Sequence, residues 1–567
     1  MTVREELTHI RRLKYQGELK KALLEVEKLE AREITNEEQL ECQLAKSAIL
    51  RRMGRIHEAL EITKHVLREA EKQDNPLLVI DSLLWQADFS FHLGRYNEHK
   101  TLIQRCESLI EQITLEESQI KRRIATVLFH KGVMSHITGD VSEGISYLKK
   151  SLAIQEEIDR KDPLVTIALF YLASYHRDRG DNKEASSCSQ RSMKLSKETG
   201  NNLFLGYNLM NLGLGFHYTG EFEKALKYYE ESLSIVTKSQ MKPGIALLMI
   251  MFATTYRHLG ELTLAFEHIK KGITLYEEME IRDQFYAYSF CINAQLLQES
   301  GDFTEAFTYY EKSLLLFHEL GVTNALVFET FYCLVKLSVE GNFPEKAEPY
   351  LQFLEQLNRE SENILLKQGY RGIQGLLLRK SNRFKDKVKA QTIHRQNLEE
   401  EKSHFFIKKE ALLNLIDLLL EELKLTGNRD ILREIKELIN QLIKFAQNQS
   451  SYNLIAEAYL LQSKLALLDL NTEKAIELLT QVRQIAETKG LERLSMLISY
   501  EQESLVSQLN KWERIIEQEP SMSDIIQLTQ IEDLITRVIN TRLLRKEEEI
   551  REYTIRARQL VEKWEKA

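Results

Sequence analysis

The stretch Asn208–Val236, NLMNLGLGFHYTGEFEKALKYYEESLSIV, decides the fold. Leu209, Leu212, Gly213 and Phe216 recur at i, i+3, i+4 and i+7, so they share one face of a helix. Gly220 follows them, where a residue without a Cβ closes a helix C-terminus in the left-handed conformation. Phe222 fills the corner, and Ala225, Tyr229, Ser232 and Leu233 mark the facing stripe of a second, antiparallel helix. The small Ala225 lets the two backbones approach. Such a hairpin of helices buries its stripes only by stacking on further copies of itself.

Those copies are present. The turn Gly220-Glu221-Phe222-Glu223-Lys224-Ala225 has counterparts at Gly17, Gly54, Gly94, Gly139, Gly180, Gly260, Gly301 and Gly341, at intervals of roughly 40 residues. Weaker copies at Ser381-Asn382, Gly427-Asn428 and Asn471-Thr472 bring the total to about twelve. Pro76, Pro163 and Pro243 stand where the next helix begins, a position at which the missing N–H costs nothing. With only 6 Pro and 23 Gly in 567 residues, 43% of them hydrophobic and 29% charged, collagen, Pro-rich linkers and turn-dense β-sandwiches are excluded.

Leu209, Leu212, Gly213, Phe216, Gly220, Phe222, Ala225 and Tyr229 resemble the tetratricopeptide repeat (TPR) consensus in order and spacing. The period is longer than that family's usual 34. It is closer to the long-repeat arrays of kinesin light chains, Leu-Gly-Asn repeat spindle proteins and MalT-type bacterial regulators. The resemblance covers residues 1–504, clear over 1–360 and divergent over 361–504. It implies an all-α, right-handed superhelical solenoid of about twelve antiparallel helix pairs. Residues 505–567 read as a C-terminal helical extension, with apolar positions such as Ile525, Leu528, Ile531 and Ile535. Two roles stay open for it: capping the solenoid end, or forming a homodimer through 523–567.

No enzymatic constellation emerges, and the reading is of a protein that is not an enzyme and needs neither metal nor cofactor. His57-Glu58 and His318-Glu319 lack the second His at i+4 that a zinc-protease helix requires. Gly213-Leu214-Gly215 lies inside a helix with no preceding strand, so close helix packing explains it better than a dinucleotide loop. Cys42, Cys106, Cys188, Cys291 and Cys333 show no paired spacing and read as reduced thiols. The net charge of −8 argues against nucleic acid. The charged N-terminus and the short apolar runs point away from a secretory signal and from membranes. A cytoplasmic location is the expectation.

By the TPR resemblance, the first-helix stripe beside the core lines a concave groove for a protein or peptide partner. The residue three before each turn is Lys14, Arg51, Phe91, His136, Arg177, His217, Arg257 and Gln298 in successive units. Two readings of this mostly basic line stand side by side. A cation in the last helical turn interacts favourably with the helix dipole, by about 0.3–1 kcal/mol, and needs no ligand. Alternatively, Arg51, His136, Arg177, His217 and Arg257, with Phe129, Phe170, Tyr207, Met210 and Tyr288 as apolar anchors, form a groove for a peptide carrying acidic residues. The carboxylate clamp of TPR co-chaperones is not matched, because Met210, Leu214, Ile250 and Thr254 stand where Lys or Asn is needed. A non-catalytic interaction scaffold is the leading expectation. A ligand- or peptide-responsive sensor, or an assembly protein dimerising through its tail, are the alternatives.

Overall fold

A computed structural model of the chain describes residues 2–505, apart from 114–116, 341–343, 361–362, 401–403, 492–493 and 504. Among the described residues there are twenty-four named helices, α1 (Val3–Gln16) to α24 (Thr472–Lys489), then a further helical segment over 494–503 that holds Glu501, and no strand; the named helices run in order along the chain. They form twelve antiparallel pairs. The first helices are α1, α3 (Asn36–Arg52), α5 (Pro76–His92), α7 (Glu117–Thr138), α9 (Pro163–Asp178), α11 (Asn202–Thr219), α13 (Lys242–Leu259), α15 (Gln284–Ser300), α17 (Ala325–Glu340), α19 (Ile364–Arg379), α21 (Phe405–Thr426) and α23 (Tyr452–Leu468). The even-numbered helices are their partners. Every expected turn from Gly17 to Gly301 separates a first helix from a second, and so do the weaker turns at 381, 427 and 471. Gly341 and the tail from 506, where capping or dimerising helices are expected, lie outside the described residues.

Within a pair, contact is close enough to dictate residue size. A Cβ on Gly213 of α11 would stand 2.5 Å from Cε1 of Tyr229, on α12 (Phe222–Lys238), so this glycine is a packing residue. Second helices also carry a recurrent hydroxyl. Ser151, Ser192, Ser232 and Ser313 each donate to the carbonyl 26 residues earlier, on Ala125, Thr166, Gly206 and Ala287, and so satisfy a buried polar group between the helices.

The stack coils so tightly that successive superhelical turns touch. First helix α1 meets α11, α11 meets α21 and α13 meets α23, a recurrence of five helix pairs. The contact is head to tail. Asn202, opening α11, donates from Nδ2 to the carbonyl of Gln16 at the end of α1, at 3.0 Å. Asn324, before α17, donates to the carbonyl of His136 at 3.1 Å, and the Thr323 N–H to that of Ile137 at 2.9 Å. Ser451, before α23, donates its hydroxyl to the carbonyl of His258 in α13 at 2.6 Å. Carbonyls in a last helical turn have no partner within their own helix, and here the next superhelical turn supplies one. The paired helix ends also bring opposite ends of two helix dipoles together.

The turn glycines sit in this seam. Gly94 has φ +77°, and a Cβ there would collide with the carbonyl oxygen of Arg282. Apolar contacts fill the rest: Tyr218 lies 4.6 Å from His404 and Phe222 4.9 Å from Phe405, centroid to centroid. A first helix is thus covered by its partner, by its neighbours and by another superhelical turn. That corrects one detail of the stripe assignment, because Met210 and His217 are buried while the expected core positions Leu212 and Phe216 are only half-buried.

Candidate functional site

The inward ends of the first helices surround the superhelix axis, and the line of cations lies there. The cations are matched by acids on the following first helix. Arg51 Nε lies 2.7 Å from Oδ2 of Asp88, Arg257 lies 2.7 Å from Glu299, and His136 lies 4.0 Å from Asp178. The series continues into the divergent units, with Arg379 2.7 Å from Asp417 and Lys464 3.8 Å from Glu501. Against the upward push of burial, Arg51 and its cationic neighbours hold the Asp88 carboxyl down at about 2. Burial alone would lower Arg257, but Glu299 keeps it above the usual arginine value.

Of the ten candidate groove residues, Arg51, Phe129, Met210, His217, Arg257 and Tyr288 are buried, and His136, Phe170, Arg177 and Tyr207 are half-buried. The chain brings several of these neighbours together. Phe170 lies 6.3 Å from Tyr207, and Tyr288 donates its hydroxyl to Glu329 at 3.0 Å. His217 shares a hydrogen bond with the Thr255 hydroxyl at 2.9 Å and packs 5.2 Å from His258. Burial, with His404 and Arg257 nearby, lowers His217 to about 3, so it is a neutral ring at neutral pH. Arg177 stands apart from the series. Its guanidinium has no carboxylate within ion-pair distance among the described residues, contacts the Asn211 carbonyl and the Ser174 hydroxyl, and lies 5.5 Å over Tyr218.

The acids that complete the series escaped the sequence reading. A signal was present, since Asp178 and Glu299 end their helices at the negative pole of the dipole, an unfavourable place unless a cation is near.

In the C-terminal turn lies a polar cavity of about 90 Å³. Six first helices line it, five of them contributing Arg257, Glu299, Lys336, Arg379, Glu410 and Asp417 and α23 contributing Asn453. Lys336 and Glu410 pair across it at 2.7 Å. The volume is that of roughly three water molecules at about 30 Å³ each, so the cavity suits a small polar group and no drug-sized ligand.

Among the described residues there is no group of three or more His, Cys, Asp and Glu side chains placed to hold a metal ion. All five cysteines are free, four buried and Cys188 half-buried, and Gln295 donates to the sulfur of Cys333 at 3.2 Å. No described helix is long and apolar enough to cross a membrane.

Comparison with known proteins places these features. The family model of the MalT-like TPR region matches residues 201–510. A curated relative, the 43 kDa receptor-associated protein of the synapse from Tetronarce californica, is 22% identical over 230 residues, which is 40% of this chain and 55% of the relative. The chain therefore spans about half the length of that relative. Among solved structures, a Rap protein complexed with Competence and Sporulation Factor is 16% identical and covers 65% of this chain and 99% of its own, with a TM-score of 0.46. The apo form of the quorum sensor NprR from B. thuringiensis is 16% identical and covers 63% and 98%, with a TM-score of 0.39.

Proposed function

The chain belongs to the MalT-like TPR family, whose model matches just over half of its length, and on that premise we propose that it is a non-catalytic binding protein that takes a peptide or protein segment along the inward face of its solenoid. One observation carries the reading: the inward face is lined with charge but closed by the seam. A partner that reaches Arg177, Tyr207 or Phe170 does so by spreading superhelical turns that hold each other through hydrogen bonds and ring contacts. Binding and superhelical pitch are then one event, which joins the scaffold and the responsive sensor in a single mechanism. The relative named for its association with a receptor is consistent with a protein partner.

The selectivity we assign to this surface is for acidic segments. Arg177 has no acid of its own and stacks on an aromatic ring, an arrangement that suits a carboxylate from outside. Nucleic acid, membrane and cofactor play no part in this reading, and the setting is cytoplasmic. Residues 1–504 act as the binding solenoid and 505–567 as the separate capping or dimerising extension.

The test uses Arg177→Glu, because reversing Arg257 would instead set two acids together beside Glu299. Capture of partners from the native lysate by the full chain should be lost with Arg177→Glu, and the captured complex should show a larger radius of gyration in small-angle scattering than the free chain. Unchanged capture by the variant rejects the groove. A radius that stays the same on binding rejects the coupling to pitch.

A further inference from the structure

The axis of the N-terminal superhelical turn carries more positive charge than its own acids neutralise. Lys14, near the end of α1, and Arg51 and Arg52, ending α3, are only 6%, 9% and 9% exposed. Arg51 is taken by Asp88 of α5, and His92 stands 3.6 Å from the other Asp88 oxygen. Among the described residues, Lys14 and Arg52 have no carboxylate within ion-pair distance, and rings stand beside them. Lys14 Nζ lies 4.5 Å from the centroid of Tyr15 and 5.5 Å from that of Trp85, and the Arg52 guanidinium carbon lies 5.1 Å from that of Phe204. Two further acids of this turn are engaged elsewhere, Asp81 by Arg123 and Asp162 by Arg122. Three buried cations thus share one carboxylate, an excess of two positive charges.

Ring faces attract a cation but do not replace the water it has lost. The strain registers on the groups themselves. Burial and repulsion by Arg52, Arg11 and Arg51 push the Lys14 ammonium well below the ordinary lysine value, and burial with Arg51 beside it brings Arg52 down to about 10. The C-terminal turn has no such imbalance, since its axial cations Arg257, Lys336 and Arg379 each have an acid.

We infer that the N-terminal bore is an anion-binding site, in which Lys14 and Arg52, with Arg51 beside them, take a compact organic dianion whose carbon framework lies against Trp85 and Phe204. Two negative charges match the excess. A phosphate monoester and a dicarboxylate both present them at the spacing a guanidinium fork accepts. The ring walls favour a carbon-bearing anion over a bare inorganic one. This site rests on the reading of the inward face as the ligand-binding face and specifies what one end of it recognises.

The full chain is titrated with phenyl phosphate, with succinate and, at matched ionic strength, with sodium chloride, while Trp85 emission is followed; Trp85→Phe identifies that signal against Trp512 and Trp564. One or both dianions should give a saturable change and chloride none. A response to phenyl phosphate alone assigns a phosphoryl group, and one to succinate alone a dicarboxylate. Lys14→Met and Arg52→Met should each weaken binding by about tenfold or more, and should unfold no earlier than the parent chain because each removes an unneutralised charge. Arg52→Lys, which keeps the charge, should still bind. Absence of any response up to about 10 mM of both dianions, equal binding by the methionine variants, or earlier unfolding of both variants overturns the inference. If Arg177→Glu leaves partner capture unchanged while a dianion binds in a Lys14-dependent way, only the peptide reading fails. Arg177-dependent capture without dianion binding rejects this site alone.

Discussion

At the scale of single residues, two glycines two positions apart play opposite parts. Gly213 faces the fully buried ring of Tyr229, whereas a Cβ on Gly215, in the same helix, would meet nothing within 4 Å. Gly213→Ala should therefore cost about 1–3 kcal/mol through overpacking. Gly215→Ala should stabilise by up to about 1 kcal/mol through helix propensity. Urea unfolding midpoints of the two variants give both numbers. The ion pairs allow a sharper test. Glu299→Ala leaves Arg257 buried without its acid and should destabilise by about 3 kcal/mol or more, whereas replacing both residues with apolar ones of similar size should recover most of that loss. The helical face around Gly213 was legible because a 3.6-residue period needs only local sequence. The acid opposite each cation was not, because it lies on the next unit, and nothing in a local pattern says which end of that helix comes near.

At the scale of helices, turn chemistry was the most readable feature. A positive φ with no Cβ penalty is a demand one residue must meet, and Gly meets it from Gly17 to Gly301. Where the signature faded the demand remained, and Leu470 accepts φ +60° in the turn between α23 and α24. The ends of the first helices held information that the sequence reading did not use. Asn202, Asn324 and Ser451 read as ordinary helix-opening residues, yet each also donates to a helix five pairs earlier. Ser451→Ala should cost about 1 kcal/mol and speed amide exchange where α13 ends against α23, far from the substitution in sequence. Asn324→Ala should do the same at the end of α7. Exchange confined to the mutated helix would show that the seam carries no stability.

At the scale of the whole molecule, the buried histidines set a pH dependence. Burial lowers His92 and His130 to about 3 and His404 to about 4, and His217 falls to about 3. The unfolded chain protonates these rings near 6.5. Their contribution is therefore fully present above about 6.5 and is lost between there and 3–4, at up to roughly 1.4 kcal/mol per pH unit for each ring. Asp283 acts in the opposite sense: burial raises its carboxyl to about 7, so the folded state gains as pH falls from there towards the ordinary Asp value. Burial lowers His99, His136, His176, His258 and His394 as well and raises Glu41, Asp81 and Asp178, so nine rings stand against four carboxyls and the thermal midpoint should fall from pH 7 to pH 5. His217 and His404 lie at the seam, so scattering at pH 5 should show the turns parting before helical content drops. A thermal midpoint unchanged between those pH values would mean the rings titrate alike in the folded and the unfolded chain.

The recurrence of five helix pairs has a consequence for how this chain tolerates change. An array held only by neighbouring units can gain or lose one anywhere and remain an array of the same kind. Here a unit inserted between Gly94 and Arg282, or removed from between them, would shift every facing pair that spans it by one step, as a slipped strand misaligns a whole sheet. The count of repeats between facing residues is thus part of the structure's specification. Contacts between residues about 190 positions apart also tie the two turns into one cooperative body, so the molecule should melt in a single transition instead of fraying from its ends.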